Sequence, residues 1–224
     1  MTKRPVWAIV PAKSLLRGKS RLRPVLTDGD RARFAQALLE HVLDVLGECD
    51  LDGRLVATDG DDVASIAEAR GAQVLRDRAS LGGSLSTVCP GDLSADRPAT
   101  SLADVVDRAL AEVASRGAQA AVVLMADLPR IQPADVRALL EALEGDGVAI
   151  VCDHLGRHTN ALALAPPTAM PTHFGREDSF TAHCAAARAR GLRVVPVASD
   201  RIAFDVDVPA DHRCLEASRP AVET

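Results

Sequence analysis

Basic residues crowd the first part of the chain. Every charged side chain before Asp28 is a lysine or an arginine, namely Lys3, Arg4, Lys13, Arg17, Lys19, Arg21 and Arg23. Most of them follow residues 6–10, a β-branched run that predicts a strand, and in an open α/β sheet ligands bind to the loop after a strand. Cationic side chains there would bind a polyphosphate and stabilise the charge that develops during transfer. The P-loop spacing is absent, and a solvated basic loop is the alternative interpretation.

Three aspartates stand where strands are predicted to end. Asp127 follows a buried apolar run, residues 121–125, where an unpaired carboxylate is unfavourable. Asp205 and Asp207 are two residues apart near the end of another predicted strand, residues 202–206, so both would project to one face. A cation between them would relieve their repulsion. Mg²⁺ is the expected ion, because it binds to one or two carboxylates together with substrate phosphates.

Some of these positions also have purely structural explanations. Asp127 could accept hydrogen bonds from the loop that contains Pro129, and Asp207 could cap the helix predicted to begin at Pro209. Ser179 stands where another helix begins, so it could bind an anion with the free amides beyond it or, more commonly, cap that helix. Taken together with the basic segment, which we define as residues 13–23, the aspartates favour a site for a metal and a triphosphate.

The apolar pattern alternates between strand-like runs and helical spacing. Strands are predicted over 6–10, 54–58, 73–75, 121–125, 148–152, 161–164, 193–197 and 202–206. Helices are predicted over 34–46, 63–70, 102–113, 133–143 and 180–190. This order predicts an α/β fold of three layers, a Rossmann-like, mostly parallel sheet with helices on both faces. Residues 76–100, rich in Gly, Ser, Pro and Asp, predict a long loop that is either functional or disordered.

Composition narrows the function classes. Hydrophobic residues form 47% of the chain and charged residues 25%, which is ordinary for a globular protein. A net charge of -5 and the absence of Tyr disfavour a nucleic-acid binder. An odd number of cysteines without a C-x-x-C pair fits a reducing cytoplasm, and no apolar run is long enough to span a membrane. No linker divides the chain, so we expect one domain over 1–216 and a tail over 217–224.

Together these segments resemble the guanylyltransferases related to 2-phospho-L-lactate guanylyltransferase and phosphoenolpyruvate guanylyltransferase of deazaflavin coenzyme biosynthesis. The matching segments span nearly the whole chain in the family's order, and they are 10–13, 19–22, 126–129, 159–162, 174–175, 179–180 and 205–209. The resemblance implies a nucleotidyltransferase-like fold. It also implies transfer of GMP from GTP to a phosphorylated three-carbon acid such as 2-phospholactate, phosphoenolpyruvate or 3-phosphoglycerate, with release of pyrophosphate.

The resemblance further implies roles for individual residues. Mg²⁺ would be held by Asp127, Asp205 and Asp207. The catalytic set would combine Asp127 with three cations that contact the triphosphate, Lys13, Lys19 and Arg21. Further substrate contacts would come from Pro11, Ala12, Arg17, Thr159, Asn160, Gly175 and Ser179. Within this last group, Thr159, Gly175 and Ser179 would contact the acceptor acid.

Two other functions stay open. A glycosyltransferase that uses a nucleotide-sugar would also need strand-end aspartates and a divalent metal, although the basic segment disfavours it. A catalytically silent nucleotide-binding paralogue is the second, because Ser101-Leu102-Ala103 stands where the family usually has Gly-Leu-Asn. The expected partners are GTP and a small phosphorylated acid, without nucleic acid or membrane. A homodimer is possible, and the sequence leaves the oligomeric state open.

Overall fold

The computed structural model describes residues 4–76, 101–143 and 145–218. Its strands are β1 (Val6–Pro11), β2 (Gly53–Thr58), β3 (Gln73–Arg76), β4 (Ala120–Leu124), β5 (Gly147–Cys152), β6 (Thr159–Ala165) and β7 (Arg193–Pro196). They form one seven-stranded sheet in the order β3-β2-β1-β4-β6-β5-β7. Only β6 is antiparallel to its neighbours, β4 and β5. The predicted α/β fold with a mostly parallel sheet is confirmed.

Helices cover both faces of this sheet. They are α1 (Asp28–Gly47), α2 (Asp61–Ala69), α3 (Leu102–Ser115), α4 (Pro133–Glu141), α5 (Ser179–Ala189), α6 (Asp200–Ala203) and α7 (Pro209–Ala217). Successive residues of β1 point to opposite faces, so Val10 packs in the same cluster as Leu39 of α1, whereas Ile9 packs with Leu110 of α3. The two apolar clusters hold β1 between the helical layers and so position the loop that follows it.

The prediction of a strand from Ile202 to Val206 is wrong. Ser199 caps the short helix α6, because its hydroxyl accepts a hydrogen bond of 3.2 Å from the amide of Ile202. Beyond the helix, Phe204 and Val206 pack against Leu22 of the basic segment instead of joining the sheet. The alternating apolar residues therefore serve a small separate cluster, which brings the following acids close to the basic segment.

Several predictions concern residues outside the described ranges. Residues 77–100, which make up most of the predicted loop, are among them, and so are residues 219–224 of the predicted tail. The division into a domain over 1–216 and a tail over 217–224 stays a prediction. Within the described ranges, no helix combines the length and the apolar character that crossing a bilayer requires.

Candidate active site

Three strand ends meet at one edge of the sheet. From β1 the chain continues to β2 on one side, while β4 lies on the other side of β1. Such a switch point leaves a crevice between diverging loops, and Lys13 and Asp127 emerge there after β1 and β4. Because β6 is antiparallel to β4, its first residues, Thr159 and Asn160, reach the same edge. The amide of Met125 donates a 3.0 Å hydrogen bond to the carbonyl of Asn160.

Two cavities open at this edge. The β1 cavity, of about 440 Å³, has mostly apolar walls from β1, α1 and α3. The β6 cavity, of about 430 Å³, is lined more by polar residues from β6, α5 and the segment after α6. Of the predicted site residues, the β1 cavity alone is lined by Pro11 and Ala12. The β6 cavity alone is lined by Arg21, Thr159, Asn160, Gly175, Ser179 and Asp205. Lys13, Lys19, Asp127 and Asp207 line both cavities and therefore mark their junction.

Lys19 holds two of the aspartates together. Its ammonium contacts the carboxylate of Asp127 and lies 3.0 Å from that of Asp207, while the guanidinium of Arg21 lies 3.7 Å from Asp207. Burial alone would lower the pKa of Lys19, but the charges of the two aspartates outweigh it and raise the pKa above its ordinary value. The residue also has a left-handed φ of 54°, which is uncommon for a side chain other than glycine. The ammonium therefore stays protonated and carries a positive charge at the junction.

The three aspartates form a candidate metal site. Asp127, Asp205 and Asp207 each offer one oxygen, and these oxygens lie within 4.8 Å of one another. Burial and the charges of the other two aspartates raise the pKa of Asp205 to about 6. Burial acts on Asp207 as well, but the charge of Lys19 outweighs it and lowers the pKa of that carboxyl. Lys19 offsets only part of the repulsion, so the site fits a divalent cation.

Polar neighbours fix the carboxylate of Asp205. The amide nitrogen of Asn160 lies 3.3 Å from it and also donates to the carbonyl of Ile202 at 2.9 Å. His154 stands between two acids, with Nδ1 3.5 Å from Asp205 and Nε2 3.7 Å from Asp211. Such neighbours orient metal ligands. The resemblance assigns Asn160 to substrate binding, and the residue does line the β6 cavity. Its side-chain NH₂ group, however, donates to residues 202–205.

The structure rejects two of the plain helix-cap explanations. Helix α7 is capped at Val208, and the side chain of Asp211 accepts from the amides of Asp207 and Val208 at 3.0 and 2.9 Å. Asp207 therefore does not cap that helix, and its carboxylate turns to Lys19. Likewise, Asp178 and not Ser179 occupies the N-cap position of α5, and its side chain makes no capping hydrogen bond. The hydroxyl of Ser179 instead accepts from the amide of Thr159 at 3.0 Å.

Buried contacts anchor the basic segment. The guanidinium of Arg31, which is only 1% exposed, donates to the carbonyls of Gly18 and Leu16. Arg17 pairs with Asp59 at 2.6 Å and is absent from the described linings of both cavities. Arg17, a predicted substrate contact, thus reaches neither cavity, whereas Lys13 and Lys19 lie at the junction and Arg21 lines the β6 cavity.

His158, which lines the β6 cavity, and its buried partner Asp153 were not singled out from the sequence for this role. Asp153, which directly follows β5, accepts from the amides of Arg157 and His158 at 2.6 and 2.9 Å, and its second oxygen lies 3.0 Å from Nδ1 of His158. Burial opposes its charge, but these hydrogen bonds outweigh burial and lower the pKa of Asp153. His158 is therefore held at the wall of the β6 cavity. An aspartate directly after a strand, as at Asp127, was the available signal.

Buried His183 was also missed, and no local pattern distinguishes it. Its Nδ1 lies 3.0 Å from the hydroxyl of Thr159, and its Nε2 accepts from the amide of His173 at 2.8 Å. Burial, helped by the neighbouring His173, lowers the pKa of His183 to about 3. The ring is neutral at physiological pH and lies directly behind the β6 cavity.

Comparison with known proteins shows the family of the chain. Residues 32–202 match the family described as the MobA-like NTP transferase domain. A phosphoenolpyruvate guanylyltransferase from Rubrobacter xylanophilus is 40% identical over 214 residues, which cover 95% of this chain and 94% of the relative. A 2-phospho-L-lactate guanylyltransferase from Halorubrum lacusprofundi is 33% identical over 205 residues, or 91% and 80% of the two chains.

The fold has solved counterparts as well. A Desulfovibrio desulfuricans protein, provisionally described as a nucleotide-diphospho-sugar transferase, superposes with a TM-score of 0.74 at 14% identity, and the match covers 99% of this chain and 90% of the other. At that identity the likeness concerns the fold alone. The sequence matches go further: the chain belongs to the MobA-like NTP transferases and, within them, to the family of the phosphoenolpyruvate and 2-phospho-L-lactate guanylyltransferases.

Proposed function

We propose that the protein is a Mg²⁺-dependent guanylyltransferase that transfers GMP from GTP to the phosphate of a small phosphorylated carboxylic acid. The observation that carries the proposal is the junction of the two cavities, where the ammonium of Lys19 contacts Asp127 and Asp207. Asp205 completes the group, because one oxygen of each of the three aspartates lies within 4.8 Å of the others. Two cavities that share one charged centre suit a reaction between two phosphorylated substrates. The names of the relatives favour phosphoenolpyruvate or 2-phospho-L-lactate as the acceptor.

Each substrate has a cavity that suits it. The apolar walls of the β1 cavity suit a base and a ribose, and Lys13 and Lys19 at its mouth suit the triphosphate. The β6 cavity offers the guanidinium of Arg21 and the hydroxyls of Thr159 and Ser179 to an anionic acceptor. The acceptor phosphate and the α-phosphate of GTP would then meet at the junction.

The reaction requires no side-chain nucleophile. A phosphate oxygen of the acceptor attacks the α-phosphorus of GTP in line, a new P–O bond forms, and the bond to the β-phosphate oxygen breaks to release pyrophosphate. A phosphate monoester is already anionic near neutral pH, so a strong general base is unnecessary. Lys13 and Lys19 would stabilise the charge on the departing pyrophosphate. Mg²⁺ held by Asp127, Asp205 and Asp207 would neutralise phosphate charge as a Lewis acid.

Pyrophosphate release tests the proposal directly. The protein is incubated with Mg²⁺, each of the four NTPs and a panel of phosphorylated acids. We expect release only with GTP and only when an acceptor acid is present. Transfer from a nucleotide-sugar would instead support the glycosyltransferase alternative, and GTP binding without turnover would support the silent paralogue. We further propose that the enzyme acts in the cytoplasm, as the cysteine pattern indicates, and in deazaflavin coenzyme biosynthesis, as the family resemblance implies.

Substitution of the aspartates tests the site. Asp127→Ala and Asp205→Ala should abolish metal-dependent turnover while the protein stays folded, as judged by circular dichroism. Asp146→Ala is the matched control, because that side chain is 74% exposed and contacts only Arg4 among the described ion pairs. Full activity in both site variants would refute the assignment of the aspartates.

A further inference from the structure

His183 connects two groups with opposite hydrogen-bonding needs. Its ring is completely buried in α5, with the ring of Phe174 packed edge-on at 4.8 Å. Nε2 lies 2.8 Å from the backbone amide of His173, and Nδ1 lies 3.0 Å from Oγ1 of Thr159. Thr159 is itself buried at the wall of the β6 cavity.

These contacts fix the tautomer of the ring. A backbone N–H can only donate, so the amide of His173 requires a lone pair on Nε2 of His183. A neutral imidazole with its lone pair on Nε2 carries its hydrogen on Nδ1. The backbone carbonyl of Ser179, which can only accept, is a second partner of the ring hydrogen beside Oγ1 of Thr159. Because a protonated Nδ1 has no lone pair to offer, the threonine hydroxyl is the acceptor in its contact with His183.

The orientation of the threonine hydroxyl follows. Because Oγ1 of Thr159 accepts from His183, its own hydrogen is left for another partner. The hydroxyl of Ser179 also acts as an acceptor, from the amide of Thr159 at 3.0 Å, so its hydrogen is likewise left for another partner. Both residues line the β6 cavity, which consequently presents two hydroxyl donors to an anion. The opposite tautomer would draw the hydrogen of Thr159 towards His183 and turn lone pairs to the cavity.

We propose that His183 is a positioning residue that sets the Thr159 hydroxyl to donate a hydrogen bond to the anionic acceptor in the β6 cavity. The inference rests on the proposed function, because the acceptor is the phosphorylated acid of that reaction. It adds a residue that touches neither substrate and acts only through the direction of one hydroxyl hydrogen.

Two amide substitutions separate this role from packing. In His183→Asn the amide nitrogen lies near the place of Nδ1 and can still donate to Thr159. In His183→Gln the amide reaches the place of Nε2 and can still accept from His173, but the donor to Thr159 is lost. We expect His183→Gln to raise the acceptor KM about tenfold with little change in kcat, as for one lost hydrogen bond to an anion. His183→Asn should retain most of the wild-type KM.

A double-substitution cycle tests whether the effect passes through the hydroxyl. Thr159→Val removes that hydroxyl with little change in volume and should raise the acceptor KM by a similar factor. In the Thr159→Val background, His183→Gln should add nothing further. Additive effects, or equal KM values for the Asn and Gln variants, would overturn the proposal.

The tautomer can be measured without substrate or substitution. Long-range ¹H–¹⁵N NMR of the full-length protein should show a protonated Nδ1 and an unprotonated Nε2 for His183. A protonated Nε2 overturns the inference whatever the enzyme transfers. Conversely, a wild-type protein that shows the expected tautomer but releases no pyrophosphate with any acid contradicts the proposed function, so the two failures are distinguishable.

Discussion

Replacing Asp205 by Asn should stabilise the metal-free protein at neutral pH, although it removes a proposed metal ligand. Burial and the neighbouring charges of Asp127 and Asp207 raise the pKa of Asp205 from 3.8 to about 6. The folded state therefore retains a proton that the unfolded chain releases between these two pH values. Stability contributed by this group falls as the pH rises through that window, and above pH 6 the ionised carboxylate destabilises the fold.

The magnitude follows from the same pKa values. A rise from 3.8 to about 6 corresponds to about 3 kcal/mol of unfavourable free energy at pH 7.5. The Asn side chain removes the charge, and its carbonyl can still accept from the amide of Asn160, which lies 3.3 Å from the Asp205 carboxylate. For a chain of this size, about 2–3 kcal/mol corresponds to a melting temperature higher by roughly 5–10 °C. At pH 5 the gain should be about half as large, because Asp205 is then mostly protonated in the folded protein.

Thermal denaturation in a chelator, at pH 7.5 and pH 5, measures this effect. Asp207→Asn is the matched control and should have the opposite sign, because the charge of Lys19 lowers the pKa of Asp207 and its ionised form stabilises the fold. Added Mg²⁺ should raise the melting temperature of the wild type more than that of Asp205→Asn. A lower melting temperature for Asp205→Asn, or an equal gain at both pH values, would refute the reasoning.

Three further perturbations test other parts of the site. Lys19→Met should tighten Mn²⁺ binding without nucleotide about tenfold, because the ammonium no longer occupies two carboxylates; unchanged affinity in a calorimetric titration would contradict this. In Gly60→Ala the new methyl group would lie 2.7 Å from the backbone of Ser14 in the basic segment. We therefore expect the free energy of unfolding in urea to fall by about 1–3 kcal/mol and GTP binding to weaken. An unchanged urea midpoint would contradict this close contact. Asp153→Asn keeps the shape of the side chain but removes the charge that holds His158. We expect the free energy of unfolding in urea to fall by about 1–3 kcal/mol and the acceptor KM to rise. Wild-type values for both would show that the charge is unimportant.

The sheet and its helices could be predicted from apolar spacing because both faces of the sheet are buried. The first seven predicted strands all occur, and so do the five helices predicted over stated ranges and the helix predicted to begin at Pro209. The same logic failed for Ile202 to Val206, whose apolar residues alternate as in a strand. The side chain of Asn160 binds the carbonyls of Ile202 and Ala203 at 2.9 and 3.2 Å, an interaction across 42 and 43 residues that no local pattern reveals.

The charged residues of the candidate site and their place at one edge of the sheet could also be predicted. Aspartates at strand ends and a run of basic residues predict a charged site. Because the carboxyl ends of parallel strands lie at one edge of the sheet, these residues are expected to meet there, as Asp127 and Lys19 do. Pairing within the site was not predictable. Arg17 turns to Asp59, and the hydroxyl of Ser179 turns to the backbone of Thr159. Such choices depend on distances between segments that are far apart in sequence.

The charge balance at the junction suggests why the fold tolerates three acids so close together. In the metal-free protein, the single charge of Lys19 is divided between Asp127 and Asp207, and Asp205 is left with a raised pKa. A divalent cation on the aspartates would replace that charge and free the ammonium, which already lines the β1 cavity proposed for the triphosphate. Phosphates that attract Lys19 would, in turn, vacate the carboxylates for the cation. Binding of metal and of GTP should therefore be mutually favourable even where the two ligands do not touch, because each removes the competitor of the other. Since Lys19→Met abolishes that competition, it should also reduce the coupling between Mn²⁺ and GTP, and coupling as strong as in the wild type would mean that direct contact between metal and phosphate accounts for all of it.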